Sequence, residues 1–173
     1  ELPELPSAKR HRYVEELGLS AYDSRVLTDD SQMARYFENV VLAGCDAKLA
    51  SNWITGDLAA YVNAQRITFD KLLFLPEQLA ELVQLIVEGK ISGKIAKEIL
   101  PGLLEKGGSP KNIVESQNLG MISDPKLIEK KIDELFSQFP SEVELYRAGK
   151  TKLQGFFIGQ LMKNTSGKVD PKL

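Results

Sequence analysis

The sequence predicts an all-α protein built as two small helical bundles in tandem. Three observations carry this expectation: apolar residues recur at intervals of three and four along most of the chain, period-two alternation is nearly absent, and Gly107-Gly108-Ser109-Pro110 breaks the pattern. At the start, Leu2-Pro3-Glu4-Leu5-Pro6 reads as an extended connector, because a residue preceding proline is pushed out of the helical region. With Glu rather than Met at position 1, that segment reads as an internal cut. Asp30 or Ser31 then caps a helix carrying Met33, Phe37, Val40 and Val41 on one side, and Gly44 stops it. From about Asp46 a second helix gives Leu49, Ala50, Trp53, Ile54, Leu58, Tyr61 and Val62 a wide apolar face, and the two are expected to form a helical hairpin.

Residues 67–75 read as a loop or a short helix. Pro76 opens a cleaner helix, with Leu79, Leu82, Val83 and Ile86 facing inward and Gly89 beyond its end. Ser92 caps the next, which aligns Ile95, Ile99 and Leu103 beside Ala96, Leu100 and Leu104; Pro101 removes a backbone donor and is expected to kink or end it. The break at 107–110 is the expected boundary between a helical domain over 23–107 and a second domain over 108–173. In the second, Asp124-Pro125 starts a helix that buries Ile128, Ile132, Leu135, Phe136 and Phe139. After Pro140, Ser141 and Glu144 have capping-box spacing, and Gly149 ends that helix. A last helix spans about Thr151 to Asn164, and 165–173 read as a mobile tail.

Composition sets the class. With 43% apolar and 27% charged residues the chain is ordinary globular protein. It holds no run of about eighteen apolar residues and no cationic start followed by an apolar stretch, so neither a membrane span nor a secretion signal is expected. One cysteine, Cys45, excludes an intrachain disulfide, and one histidine, His11, excludes a Cys/His metal cluster. A reducing cytoplasm, or the interior of an organelle in a eukaryote, fits this usage.

No catalytic constellation stands out. Gly149-Lys150-Thr151 mimics the end of a phosphate-binding loop, but Glu144 stands where the first glycine is required and no strand precedes it. Gly89-Lys90-Ile91-Ser92-Gly93-Lys94 is one residue short between its glycines, with Ile95 at the hydroxyl position. His11 and Cys45 lie far apart, without the matched base a nucleophile needs. Glu15-Glu16, Glu77-Glu81 and Glu129-Asp133-Glu134 fall on solvated helix faces.

Two features carry more weight than these and are compatible with a polyanion. From Gly149 onward Lys150, Lys152, Lys163, Lys168 and Lys172 stand against Asp170 alone, a local excess of +4 on a chain whose net charge is −2. Helical geometry gathers Lys152, Gly155, Gly159 and Lys163 into one narrow stripe, with Leu153, Phe157, Ile158 and Leu161 facing mainly away. Glycine inside a helix costs up to about 1 kcal/mol relative to alanine, so two at this spacing ask for close approach of another backbone. A neighbouring helix would satisfy that, and so would a sugar-phosphate chain held by the lysines. The second feature is Gly89 to Lys97, where Lys90, Lys94 and Lys97 surround a capped helix start. Read from charge alone, both lysine groups suit solvated surface better than RNA. Trp53 sits in an apolar stripe, which suits a core role better than base stacking.

At these residues the chain resembles a known family, the B subunit of the aspartyl- and glutamyl-tRNA amidotransferase with the related YqeY-like proteins. The resemblance is carried by Leu5 to Tyr13 (LPSAKRHRY), Leu17 to Asp23 (LGLSAYD), Asn52 to Leu58 (NWITGDL), Gly89 to Ile99, and Lys152 to Lys163 (KLQGFFIGQLMK), continuing to Gly167-Lys168 and Pro171. It implies a ligase complex that converts Glu-tRNA(Gln) or Asp-tRNA(Asn) to the amide with ATP, Mg and ammonia from glutamine, the A and C subunits being its protein partners. Residues 1–22 would be the exit of the catalytic cradle domain, 23–107 the helical domain and 108–173 the YqeY-like tail. The resemblance assigns no catalytic residue and no cofactor to this region; its implied task is to bind tRNA. Lys150, Lys152, Lys163, Lys168, Lys90 and Lys94 are the RNA-binding candidates, with Gly155 and Gly159 allowing close backbone approach. The other class in play is a helical module that docks other proteins of the complex, its lysines incidental.

Overall fold

The computed structural model describes residues 4–122, 125–165 and 168–169. Eleven α-helices occupy most of them, and the one β-type pairing among the described residues is a single parallel bridge between Ile122 and Val169. The protein is all-α.

Extended backbone ends at Leu5, and α1 (Pro6–Glu15) starts on a proline, whose missing N–H costs nothing in a first turn. Of the expected connector, Leu2 and Pro3 lie outside the described residues, Leu5 is extended, and Pro6 already belongs to the helix. Its Tyr13 is fully buried. Polar contacts tie α1 to α3 (Ser31–Leu42): Arg12 donates to Glu38 at 2.6 Å and Lys9 donates to the same carboxylate at 3.1 Å, while Arg12 also reaches Glu4 at 2.7 Å. Burial pushes the Glu38 carboxyl up, but the hydrogen bonds from Arg12 and Lys9 outweigh it and hold the group below its ordinary value. Between them lies α2 (Ala21–Asp29), which the periodicity does not announce; its signal is Ser20, whose hydroxyl oxygen accepts from the Asp23 N–H at 3.0 Å.

Asp30 caps α3 by accepting from the Gln32 and Met33 amides. Phe37 and Val40 are fully buried, Met33 and Val41 pack against the core, and Tyr36 donates its hydroxyl to the Phe74 carbonyl at 2.9 Å. After the turn at Gly44, Asp46 caps α4 (Ala47–Trp53), which packs on α3 as the expected hairpin. It runs through a π-helical turn, Ile54–Leu58, into α5 (Ala59–Gln65). Of the expected apolar face only Leu49 is exposed, at 37%. At 100° per residue it lies about 140° around the helix from Ile54, on the rim of the face.

Within 67–75 a short 3-10 turn, Phe69–Lys71, sinks Phe69, Leu72 and Phe74 into the core. α6 (Pro76–Val87) buries Leu79 and Leu82 completely, and α7 (Gly93–Lys106) is capped by Ser92, which accepts from the Ile95 amide at 3.3 Å. Pro101 does not end α7. The proline is exposed, as is Lys97 one turn before it, so the carbonyl that loses its partner faces water. The helix stops at Gly107, with φ +67°, where a Cβ would lie 2.8 Å from the Leu73 carbonyl oxygen. α8 (Pro110–Ser116) then folds back on α6 and α7. Glu81 fixes its start by accepting from the Ser109 hydroxyl at 2.7 Å and the Lys111 amide at 3.3 Å, and Val114 joins the same buried cluster as Tyr13, Leu79 and Leu103.

α9 (Pro125–Gln138), α10 (Pro140–Arg147) and α11 (Leu153–Asn164) pack on one another. Ile128, Leu135 and Phe157 are buried, and edge-on aromatic pairs knit the three together: Phe136 with Phe157 at 5.1 Å, Phe139 with Phe156 at 5.3 Å, Tyr146 with Phe157 at 6.0 Å. Among the described residues, none of this group joins the buried cluster formed through α8. Asp124, the expected cap of α9, lies outside the described residues. The Ser141–Glu144 capping box does not form. Pro140 takes the first helical position, Phe139 becomes the cap residue, and Ser141 inside the first turn donates to Glu142 at 2.7 Å.

Candidate nucleic-acid interface

The turn from α10 to α11 is set by Gly149, at φ +100°, which ends α10 and leaves Lys150 and Lys152 exposed just before the last helix. Lys163 is exposed in the final turn of α11, where a cation also complements the partial negative charge of the helix end. A rise of 1.5 Å per residue puts Lys152 and Lys163 about 16 Å apart along the axis. Gly155 and Gly159 lie exposed between them, and beyond the helix's own backbone a Cβ built on either would meet no described atom within 4 Å. The close backbone approach expected at these glycines is therefore not made by any described part of this chain, and the described residues leave the ridge open. Phe157 anchors the opposite side of α11 in the tail bundle. Phe156, at the edge of the lysine-glycine face, turns its ring onto Phe139 and Phe157.

The six candidate lysines divide by what they touch. Among the described residues no acid stands within ion-pair distance of Lys150, Lys152 or Lys163. Lys90 donates to Glu88 at 2.6 Å, and Lys94 stands 4.0 Å from Glu98. These are exposed pairs of the kind worth 1 kcal/mol or less, roughly, which a phosphate can displace. Lys168 donates its Nζ to the Asn118 carbonyl at 2.7 Å. Lys97, also in the Gly89–Lys97 segment, pairs with Asp57 at 3.5 Å and sits 5.9 Å above the Trp53 ring. Trp53 packs partly buried against the core, with that lysine over its ring.

The groups weighed for catalysis are dispersed. His11 is exposed on α1, and Cys45 is buried in the α3–α4 turn, where burial, then the neighbouring Asp46, pushes its thiol up to about 11. Glu81 is engaged with Ser109 and Lys111. A cavity of about 420 Å³ opens between the α6–α7 turn and α8, lined by Leu85, Lys90, Lys111 and Met121, but its Glu88 is held by Lys90. No group of three His, Cys, Asp or Glu among the described residues is placed to hold a metal ion, and no described helix is long and apolar enough to cross a membrane.

The contacts that sequence reasoning missed are structural and polar: Glu38 bridging Lys9 and Arg12, Glu81 holding α8, and Asn118 receiving Lys168. Each joins residues more than twenty positions apart, beyond the reach of helical periodicity.

Fold and site together define an all-α domain whose open basic face lies on its last helix. The chain belongs to the GatB_Yqey family, whose model, described as the GatB domain, matches residues 35–173. It is 72% identical to the B subunit of the aspartyl/glutamyl-tRNA(Asn/Gln) amidotransferase of the cyanobacterium Prochlorococcus marinus and 72% identical to that of Synechococcus sp. (strain CC9902). The corresponding protein of Synechococcus sp. (strain WH7803) is 70% identical. Each match takes in 100% of this chain and 35% of the relative, so the chain spans about a third of the length of the curated relatives it matches.

Proposed function

We propose that this chain is the tRNA-gripping, non-catalytic region of an amidotransferase B subunit and that α11 presents the gripping surface. The observation that carries this reading is the ridge of Gly155 and Gly159, left open by the described residues and flanked by Lys150, Lys152 and Lys163 with no acid within ion-pair distance among those residues. Lysines draw phosphates in without reading sequence, and a ridge without side chains lets a sugar-phosphate backbone come close. Lys90 and Lys94 supply a second patch once phosphate displaces Glu88 and Glu98. In this reading the chain works in the cytoplasm as two parts: a helical body running through α8 and a tail of α9 to α11.

The relatives' name supplies the context. The intact enzyme would amidate Glu-tRNA(Gln) or Asp-tRNA(Asn) with ATP, Mg and ammonia released from glutamine, partnered by A and C subunits. The chemistry would lie outside this chain, which would hold the tRNA body so that its acceptor end reaches a distant site. One observation favours a second reading, docking of another protein of the complex. On the side of α11 away from the ridge, an apolar groove of about 140 Å³ is lined by Ile132, Phe136, Tyr146, Phe157, Ile158 and Leu161.

Size-exclusion chromatography separates the two. The chain is mixed with tRNA, and separately with the A and C subunits, at low and at high salt. Co-elution with tRNA at low salt that is lost at high salt is the expected result; co-elution with the protein subunits and none with tRNA would overturn it.

A further inference from the structure

We infer that Lys168 is a positioning residue, the pin of a clasp that fastens both ends of the tail bundle to one point on the helical body. Three segments distant in sequence meet there. The first is the α6–α7 turn, where Gly89 at φ +68° lets the chain reverse and the Lys90 carbonyl points outward to accept from the Met121 amide at 2.8 Å. The second is the stretch after α8, where Asn118 takes a left-handed conformation, φ +50°, as asparagine does more readily than most residues at a helix end. The third is 168–169, which follows α11.

The second and third segments are joined twice. The Ile122 amide donates to the Lys168 carbonyl at 2.6 Å, forming the parallel bridge in which Val169 is buried, and the Lys168 ammonium donates to the Asn118 carbonyl at 2.7 Å. Lys168 thus contributes its backbone and its side chain to the same junction. Gly120 runs beside the Lys90 carbonyl, a Cβ there lying 3.9 Å from its oxygen, next to the Met121–Lys90 hydrogen bond that joins the first and second segments. The chain enters the tail at Ile122 and leaves it at Lys168, so one junction holds both ends of the three-helix unit.

This assignment takes Lys168 out of the phosphate-contacting set without depending on RNA binding, so it is tested on the chain alone by hydrogen exchange at residue resolution. Lys168→Met should speed exchange of the Met121 and Ile122 amides about tenfold, as expected for loss of one hydrogen bond. Core amides around Phe37 and Leu103 should keep their protection, showing that the body still folds. Nε-acetyl-lysine at position 168 retains the N–H donor at nearly the same reach and removes the charge; it should restore slow exchange. Unchanged exchange in Lys168→Met, or no rescue by acetyl-lysine, overturns the clasp. If tRNA binding is then measured, acetylation should leave its salt dependence unchanged, whereas a shallower dependence would return Lys168 to the phosphate contacts.

Discussion

Replacing Gly155 and Gly159 together with alanine sets stability against binding. Both positions lie inside α11 on its exposed face, and beyond the helix's own backbone an added Cβ meets no described atom within 4 Å at either, so the methyl groups enter without strain. Alanine in a helix interior is favoured over glycine by about 0.5–1 kcal/mol per site, chiefly because the unfolded chain has less backbone freedom to lose. The pair should therefore stabilise the protein by about 1–2 kcal/mol. For a chain of this length that is a rise in melting temperature of about 2–8 °C by circular dichroism or calorimetry. The same methyl groups stand where a sugar-phosphate backbone would pass. Affinity for tRNA should fall about tenfold, equivalent to the loss of one phosphate contact of about 1.4 kcal/mol. A more stable protein that binds tRNA less well is a combination that general damage to the fold cannot give. A lower melting temperature would mean that another part of the chain packs on the ridge, and unchanged tRNA affinity in the stabilised variant would mean that RNA does not.

Other tests address the frame and its polar contacts. Phe37→Ala removes a fully buried ring that stands edge-on to Tyr13 at 5.0 Å, and should cost about 3–5 kcal/mol in urea denaturation. The Glu38 carboxyl is held below its ordinary value in the fold, so its contribution is present above the unfolded pKa, about 4.3, and is lost as pH falls through the lower folded value. Glu38→Gln should accordingly flatten the acid side of a stability profile measured from pH 7 downward; equal acid slopes in the two proteins would contradict the bridge. Cys45, buried and with its thiol pushed up to about 11, should be alkylated slowly at pH 8 in the folded chain and at the ordinary rate after unfolding.

Helical periodicity reads what each helix does by itself. Phe37, Val40, Leu79, Leu82 and Leu103 are buried because they recur at three and four, and Asp30, Asp46 and Ser92 stand at helix starts because a side-chain oxygen there satisfies an amide that has no partner. α2 escapes it because, of its aliphatic pair Val26 and Leu27, only Leu27 is fully buried, and two adjacent residues show no period. The π turn at Ile54–Leu58 leaves no mark in a pattern whose residues stay apolar on both sides of it. Pro101 disrupts less than its chemistry suggests, since its missing donor is harmless on a solvated face. Gly107-Gly108-Ser109-Pro110 does interrupt a helix, but Glu81, twenty-eight positions before Ser109, brings the chain back onto the same core. For the candidate site, helical geometry places Lys152, Gly155, Gly159 and Lys163 on one face. That the glycine ridge stands open, and that Lys168 turns to a backbone carbonyl, are long-range facts no local pattern carries.

The most direct test of α11 as an RNA-facing surface is the affinity of the chain for tRNA at low salt, compared between the unaltered protein and Lys152→Glu/Lys163→Glu. Both lysines are exposed, so the variant should keep its helical circular dichroism and its melting temperature. A large loss of binding, together with a weaker dependence of the residual binding on salt, is the expected result. Full affinity in a folded variant would contradict the account.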